Sequence, residues 1–149
     1  MFNKSIGRFT GLVLAATCAA LMACRDAAKP DTDAVVEKAR QLIEKHEYSE
    51  ALDEMRALVE ANPDDAKIQS LYGEALMATG QPSLAVWPLA RAMRDPAELV
   101  HAGLLLAQAQ GESGSGADAI KTATKVLEVE PDNLPALMLR AKAHLGESL

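Results

Sequence analysis

This 149-residue chain is poor in rings and in sulfur bridges: it has one Trp, two Tyr, two Phe and two Cys. A core built without rings must pack on Ala, Leu, Val and Met, each of which buries modest area, so moderate stability is expected. Two cysteines cannot build a disulfide framework. No Gly-x-Ser-x-Gly elbow and no His-Glu-x-x-His pair occurs. The three histidines, His46, His101 and His144, share no spacing that would bring them together on a metal. No catalytic residue, metal or cofactor is therefore expected. Cations are outnumbered, 15 to 21, for a net charge of −6. That balance argues against nucleic acid as a partner and against broad adhesion to anionic lipid. The only sustained apolar run, Gly11 to Met22, is too short for a comfortable membrane span.

What the chain does have is a period of 34 residues. Ala51, Ala85 and Ala119 stand at that interval, as do Ala39, Gly73, Ala107 and Ala141, and Leu58, Ala92 and Val126. Pro63 and Pro131 are two periods apart. Such a period means one helical hairpin copied along the chain, and such hairpins stack into a solenoid. Within the first copy, Val35, Val36, Ala39, Leu42 and Ile43 form one helical stripe, and Ala51, Leu52, Met55, Leu58 and Val59 form another. His46, Glu47 and Tyr48 fill the turn between them. Proline cannot continue a helix, so the second helix ends at Asn62-Pro63 and its third-copy counterpart at Pro131. Small residues recurring in every first helix mark places where backbones approach closely.

These residues resemble the tetratricopeptide repeat family, whose pattern places Leu-Gly in the first helix and Ala with a large apolar residue in the second. Here the first pair is Lys38-Ala39, Tyr72-Gly73, Leu106-Ala107 and Arg140-Ala141. The second is Ala51 with Met55, Ala85 with Leu89, and Ala119 with Ala123. The family's Trp positions hold Val35, Gln69, Gly103 and Leu137, its Tyr positions hold Leu42, Leu76, Gln110 and His144, and Pro96 comes one residue early. The resemblance implies an all-α solenoid of about three and a half hairpins over 32–149, with repeats at 32–65, 66–99, 100–133 and a lone first helix at 134–146. His144, in a Tyr position, is expected to be partly buried.

Two local features depart from the period. Gly111-Glu112-Ser113-Gly114-Ser115-Gly116 is expected to replace the tight turn, with glycines ending the preceding helix early. It is no phosphate loop, because Ala117-Asp118 stands where Lys-Ser/Thr is required. Pro88 falls inside a helix that Pro82 starts well and should bend it; the adjacent Trp87 is expected to cover the outside of the adjoining repeat.

The front of the chain is of another kind. Lys4 and Arg8, the apolar run and the absence of acids before Asp26 read as a secretory signal over 1–23. Its end, Leu21-Met22-Ala23-Cys24, resembles the lipobox of bacterial lipoproteins. That implies a lipidated Cys24 and a tether over 24–31, placing the chain in a bacterial cell envelope. Arg25, where an aspartate would signal inner-membrane retention, points to the outer membrane facing the periplasm. Removing Lys4 and Arg8 leaves 13 basic and 21 acidic residues. Contact with the membrane is then expected through the N-terminal lipid only.

By the family resemblance, first helices line a concave groove that holds a protein or peptide partner. Repeat spacing offers Val36, Arg40 and Ile43 from the first copy, Ser70, Glu74 and Met77 from the second, Leu104 and Gln108 from the third, and Met138 and Lys142 from the last helix. Val36, Ile43, Met77, Leu104 and Met138 would form its apolar strip. Glu44, Lys67 and His101 belong to the same set. A C-terminal carboxylate clamp is not expected with Val36, Arg40, Ser70 and Glu74 in its places. The implied role is an envelope scaffold or assembly factor that binds rather than catalyses. The alternative is an N-terminal docking region of a longer multi-repeat or enzymatic envelope protein. The last helix carries Leu134, Leu137, Met138, Ala141 and Leu145 over more than one face, so some should stay exposed and support weak self-association.

Overall fold

The computed structural model describes residues 32–147. The signal-like segment 1–23, Cys24 and the whole tether to residue 31 lie outside the described residues. Seven α-helices follow one another: α1 (Thr32–Glu44), α2 (Tyr48–Ala61), α3 (Ala66–Ala78), α4 (Pro82–Ala92), α5 (Leu99–Glu112), α6 (Gly116–Val129) and α7 (Leu134–Glu147). No strand occurs among the described residues, and none of their helices is long and apolar enough to cross a membrane. From α2 onward each helix packs against the next, α3 also meets α5, as α5 meets α7, and α1 joins through the apolar cluster it shares with α2 and α3. The first helices therefore form one layer and the second helices the other.

The small-residue columns are the closest contacts. Ala39, Ala51, Ala85 and Ala92 are wholly buried, and Gly73 is buried too. A Cβ on Gly73 would lie 2.4 Å from Cγ of Leu89, the large residue of the same hairpin. One apolar cluster runs from Val36 to Ala109, and a smaller one joins Val126, Leu127 and Ala136 with Met93, Val100, Leu104 and Leu137 packed against it.

The three hairpin turns close alike. His46, Gly80 and Gly114, spaced 34 apart, all adopt positive φ (62°, 72° and 80°). Their amides donate to Ile43, Met77 and Gly111, and the next amides donate to Leu42, Leu76 and Gln110. This double closure satisfies carbonyls that a helix end leaves open, and glycine suits its left-handed residue. The expectation for residues 111–116 is thereby corrected. Helix α5 runs through Gly111 to Glu112, because Leu106, Ala107 and Ala109 on the same helix are buried and outweigh about 1 kcal/mol of glycine propensity. The glycine that acts in the turn is Gly114.

The other connections use side-chain caps. Asp65 Oδ1 accepts from the Ile68 amide, and Asn133 Oδ1 from the Ala136 amide, two periods on. Leu99 occupies the intermediate place and has no such group. Helix α4 continues through the buried Pro88 but stops at Ala92, short of the period. Pro96 excludes a longer helix there by disfavouring helical geometry at Asp95.

Candidate functional site

The period turns the site into a question of columns, since residues 34 apart face the same way. One column is Arg40, Glu74, Gln108 and Lys142; all are exposed except the half-buried Glu74. A second is Lys67 and His101, both exposed. These two columns open onto the face formed by the first helices.

They enclose two cavities. The first, about 360 Å³, lies across α1, α3 and α5, with Arg40, Ile43, Glu44, Lys67, Ser70 and Glu74 in its walls. Leu71, Ala97, Glu98 and His101 complete it. The second, about 270 Å³, lies between the α5–α6 turn and α7 and includes Gln108, Glu112, Leu139 and Lys142. Gln108 donates to Glu112 across 2.9 Å.

The first cavity is the better furnished. Its floor holds Ser70, 1% exposed, whose hydroxyl oxygen has no hydrogen-bond partner. A buried hydroxyl left unpaired costs about 1–3 kcal/mol, so such groups call for an explanation. Among the described residues Arg40 and Lys67 make no ion pair. His101 Nε2 lies 3.6 Å from Glu74 Oε2. Its polar contact with Glu74 raises the His101 pKa above 6.5, aided by the charges of Glu74 and Glu98 and opposed by burial. The cavity thus offers cations and carboxylates interleaved, which suits a peptide with its own alternating polar groups. Among the described residues no three His, Cys, Asp or Glu cluster to hold a metal ion.

Several expected groove residues face elsewhere. Val36, Ser70, Leu104 and Met138 form one column that runs from buried through half-buried to 71% exposed. It points into the packing between hairpins, where Val36 joins the main cluster and Leu104 the smaller one. Met77 likewise packs against the main cluster. Val36, Met77 and Leu104 of the apolar strip therefore take part in helix packing, and Met138 is exposed because no helix among the described residues covers it. Ser70 and Ile43 are buried but still line the cavity.

Other expectations also shift. His144 is exposed rather than partly buried. Trp87 is 57% exposed; the Arg91 guanidinium sits 4.7 Å above its ring and pairs with Asp64 at the end of the first repeat. The orphaned Ser70 hydroxyl, Glu98 and Ala97 were not legible in the sequence. Repeat spacing places Ser70 among the groove residues but does not reveal the burial of its hydroxyl.

Comparison with known proteins agrees with this geometry. Residues 36–98 match the family model described as tetratricopeptide repeat. No curated protein sequence matches the chain. Among solved structures, the first tetratricopeptide domain of Spaghetti (RPAP3) bound to an HSP90 peptide is similar at 19% identity. The match covers 79% of this chain and 94% of that one, with a TM-score of 0.72. The Sgt2 domain of Aspergillus fumigatus is similar at 18% identity, over 80% and 81% of the two chains, with a TM-score of 0.69. The Yersinia enterocolitica secretion chaperone SycD, in complex with a peptide of the translocator YopD, is similar at 15%. That match covers 77% and 93%, with a TM-score of 0.67. From α1 to α7 this chain has the tetratricopeptide repeat fold, an all-α solenoid.

Proposed function

We propose that the chain is a lipid-anchored envelope protein that holds a segment of a partner protein across the cavity of α1, α3 and α5. The observation that carries this reading is the unpaired, buried Ser70 hydroxyl beneath the unpaired Arg40 and Lys67. A bound backbone or polar side chain would supply the missing hydrogen bond, and the two cations would gain partners. The peptides held by two of the similar structures support binding as the activity. The anchor rests on the lipobox-like Leu21 to Cys24, and the scaffold or assembly role on the groove together with that anchor.

A photoreactive residue placed at Arg40 or Lys67 in the full chain should cross-link one discrete partner in its own envelope. The same residue at Lys121 or Lys125, exposed on a second helix, should not. Equal labelling from both faces would dismiss the groove. For the anchor, Cys24→Ser should release the chain from membranes and stop incorporation of labelled palmitate. Undiminished incorporation would refute lipidation at Cys24.

A further inference from the structure

A third cavity, about 250 Å³, lies where α3 begins and α4 ends. Its walls are Asp64, Ala66, Gln69, Arg91, Arg94 and Asp95, none of which lines the groove cavity. Gln69 is wholly buried, and its Nε2 donates to the Pro63 carbonyl at 3.0 Å. That bond fixes the amide's orientation, because only Nε2 can donate. The other side-chain atom, Oε1, has no hydrogen-bond partner. A buried acceptor left open is costly and calls for an explanation. Helix packing supplies none. In the same column Val35 and Leu137 pack against apolar clusters, and Gly103 lets Val126 approach. The rim lacks partners in the opposite sense. Among the described residues Arg94 makes no ion pair. Ala66 opens α3, where amides have no intrahelical acceptor. Both wall carboxylates are engaged, Asp64 by Arg91 and Asp95 by the Ala97 amide. The cavity thus calls for a donor at its floor and an anionic acceptor at its rim. An acidic residue within a peptide brings both, its backbone N–H and its carboxylate.

The outward side of α4 adjoins this cavity. The Arg91 guanidinium stands both in the cavity wall and over the Trp87 ring. Leu84 and Trp87 are 61% and 57% exposed. One period to either side, the same columns hold exposed charges: Glu50 and Asp53 on α2, Asp118 and Lys121 on α6. Two solvated columns have thus become apolar on α4 alone among the described second helices. Trp beside Arg is the composition of interface anchors. We propose that this edge of the solenoid is a second docking site, which holds an extended protein segment with an acidic residue in the cavity and an apolar residue, two places along, on Trp87. Residues i and i+2 of an extended chain share one side and stand about 6.5 Å apart, a span that suits two adjoining anchors. The site shares no lining residue with the groove and stands independently of it.

Trp87 is the sole Trp of the chain, so its emission reports on the site. The probe is the capped heptapeptide Ser-Leu-Ser-Glu-Ser-Leu-Ser, titrated into the full chain. It should change Trp87 emission saturably, with a dissociation constant below about 1 mM. Gln in place of its Glu, or a methyl on the amide nitrogen of that Glu, should each weaken binding at least roughly tenfold. Arg94→Gln, at an exposed position, should weaken it as much, and so should Gln69→Leu with helical circular dichroism unchanged. Four results would overturn the proposal. One is no saturable change up to about 10 mM peptide. Another is equal affinity for the Gln peptide or with Arg94→Gln. A third is free glutamate binding as tightly as the heptapeptide, the mark of a small-molecule site. The last is affinity that falls with Arg40→Gln, which would put the peptide in the groove instead.

Discussion

The two ends of the solenoid are built from equivalent helices and finished in opposite ways. Helix α1 turns Ala34, Glu37, Gln41 and Glu44 outward, a surface that water solvates well. Helix α7 turns Leu134, Met138 and Leu145 outward. In a linear stack each hairpin meets only its neighbours, so an end needs a polar side to remain alone. Among the described residues α1 has one, and α7 shows interior columns to the solvent. A residue's place in the repeat therefore decides its role only together with what lies beside that repeat.

The strongest way to break this comparison is to enlarge the same column at different depths. Gly73→Leu and Ala107→Leu should each lose about 1–3 kcal/mol in urea unfolding, because their helices already touch. Ala141→Leu, in the same column at the open end, should change stability by no more than about 0.5 kcal/mol. Equal losses at all three positions would mean that α7 is covered like the inner helices.

A smaller effect concerns the turns, which are alike along the whole stack. Gly80→Ala and Gly114→Ala should each lose about 1–2 kcal/mol, the penalty for a side chain in left-handed backbone. His46→Gly should gain about 0.5–1 kcal/mol, reduced by loss of the 2.6 Å contact between His46 Nδ1 and the Tyr48 hydroxyl. Thermal melts check all three, and a destabilised His46→Gly would show that the Tyr48 contact outweighs backbone strain.

The smallest effect lies in the groove. The His101 pKa is raised in the fold, so its pairing with Glu74 stabilises fully below about pH 6.5 and is lost as pH rises through the raised value. Arg40, Lys67, Glu44 and Glu98 share the cavity with this pair. Wild type should thus melt slightly above Glu74→Gln at pH 5.5 and level with it at pH 8. A gap that persists at pH 8 would assign Glu74 a role other than pairing with His101.

The amino-acid sequence by itself determined the period, the hairpins and their close contacts. Ala39, Gly73, Ala51 and Ala85 announce tight helix packing, and Pro63 and Pro131 announce where helices must stop, because sterics and hydrogen bonding act locally. It also carried the turn column His46, Gly80, Gly114, although a glycine-rich run obscured the last member. Direction was decided only by tertiary structure. A period says that Val36, Ser70, Leu104 and Met138 are equivalent; it does not say whether that column faces a groove or the next hairpin. That depends on how each hairpin rotates against its neighbour, which local propensity does not encode. The same rotation buries the Ser70 hydroxyl in the cavity floor, sets Arg40 and Lys67 around it, and leaves three large apolar side chains of α7 in water.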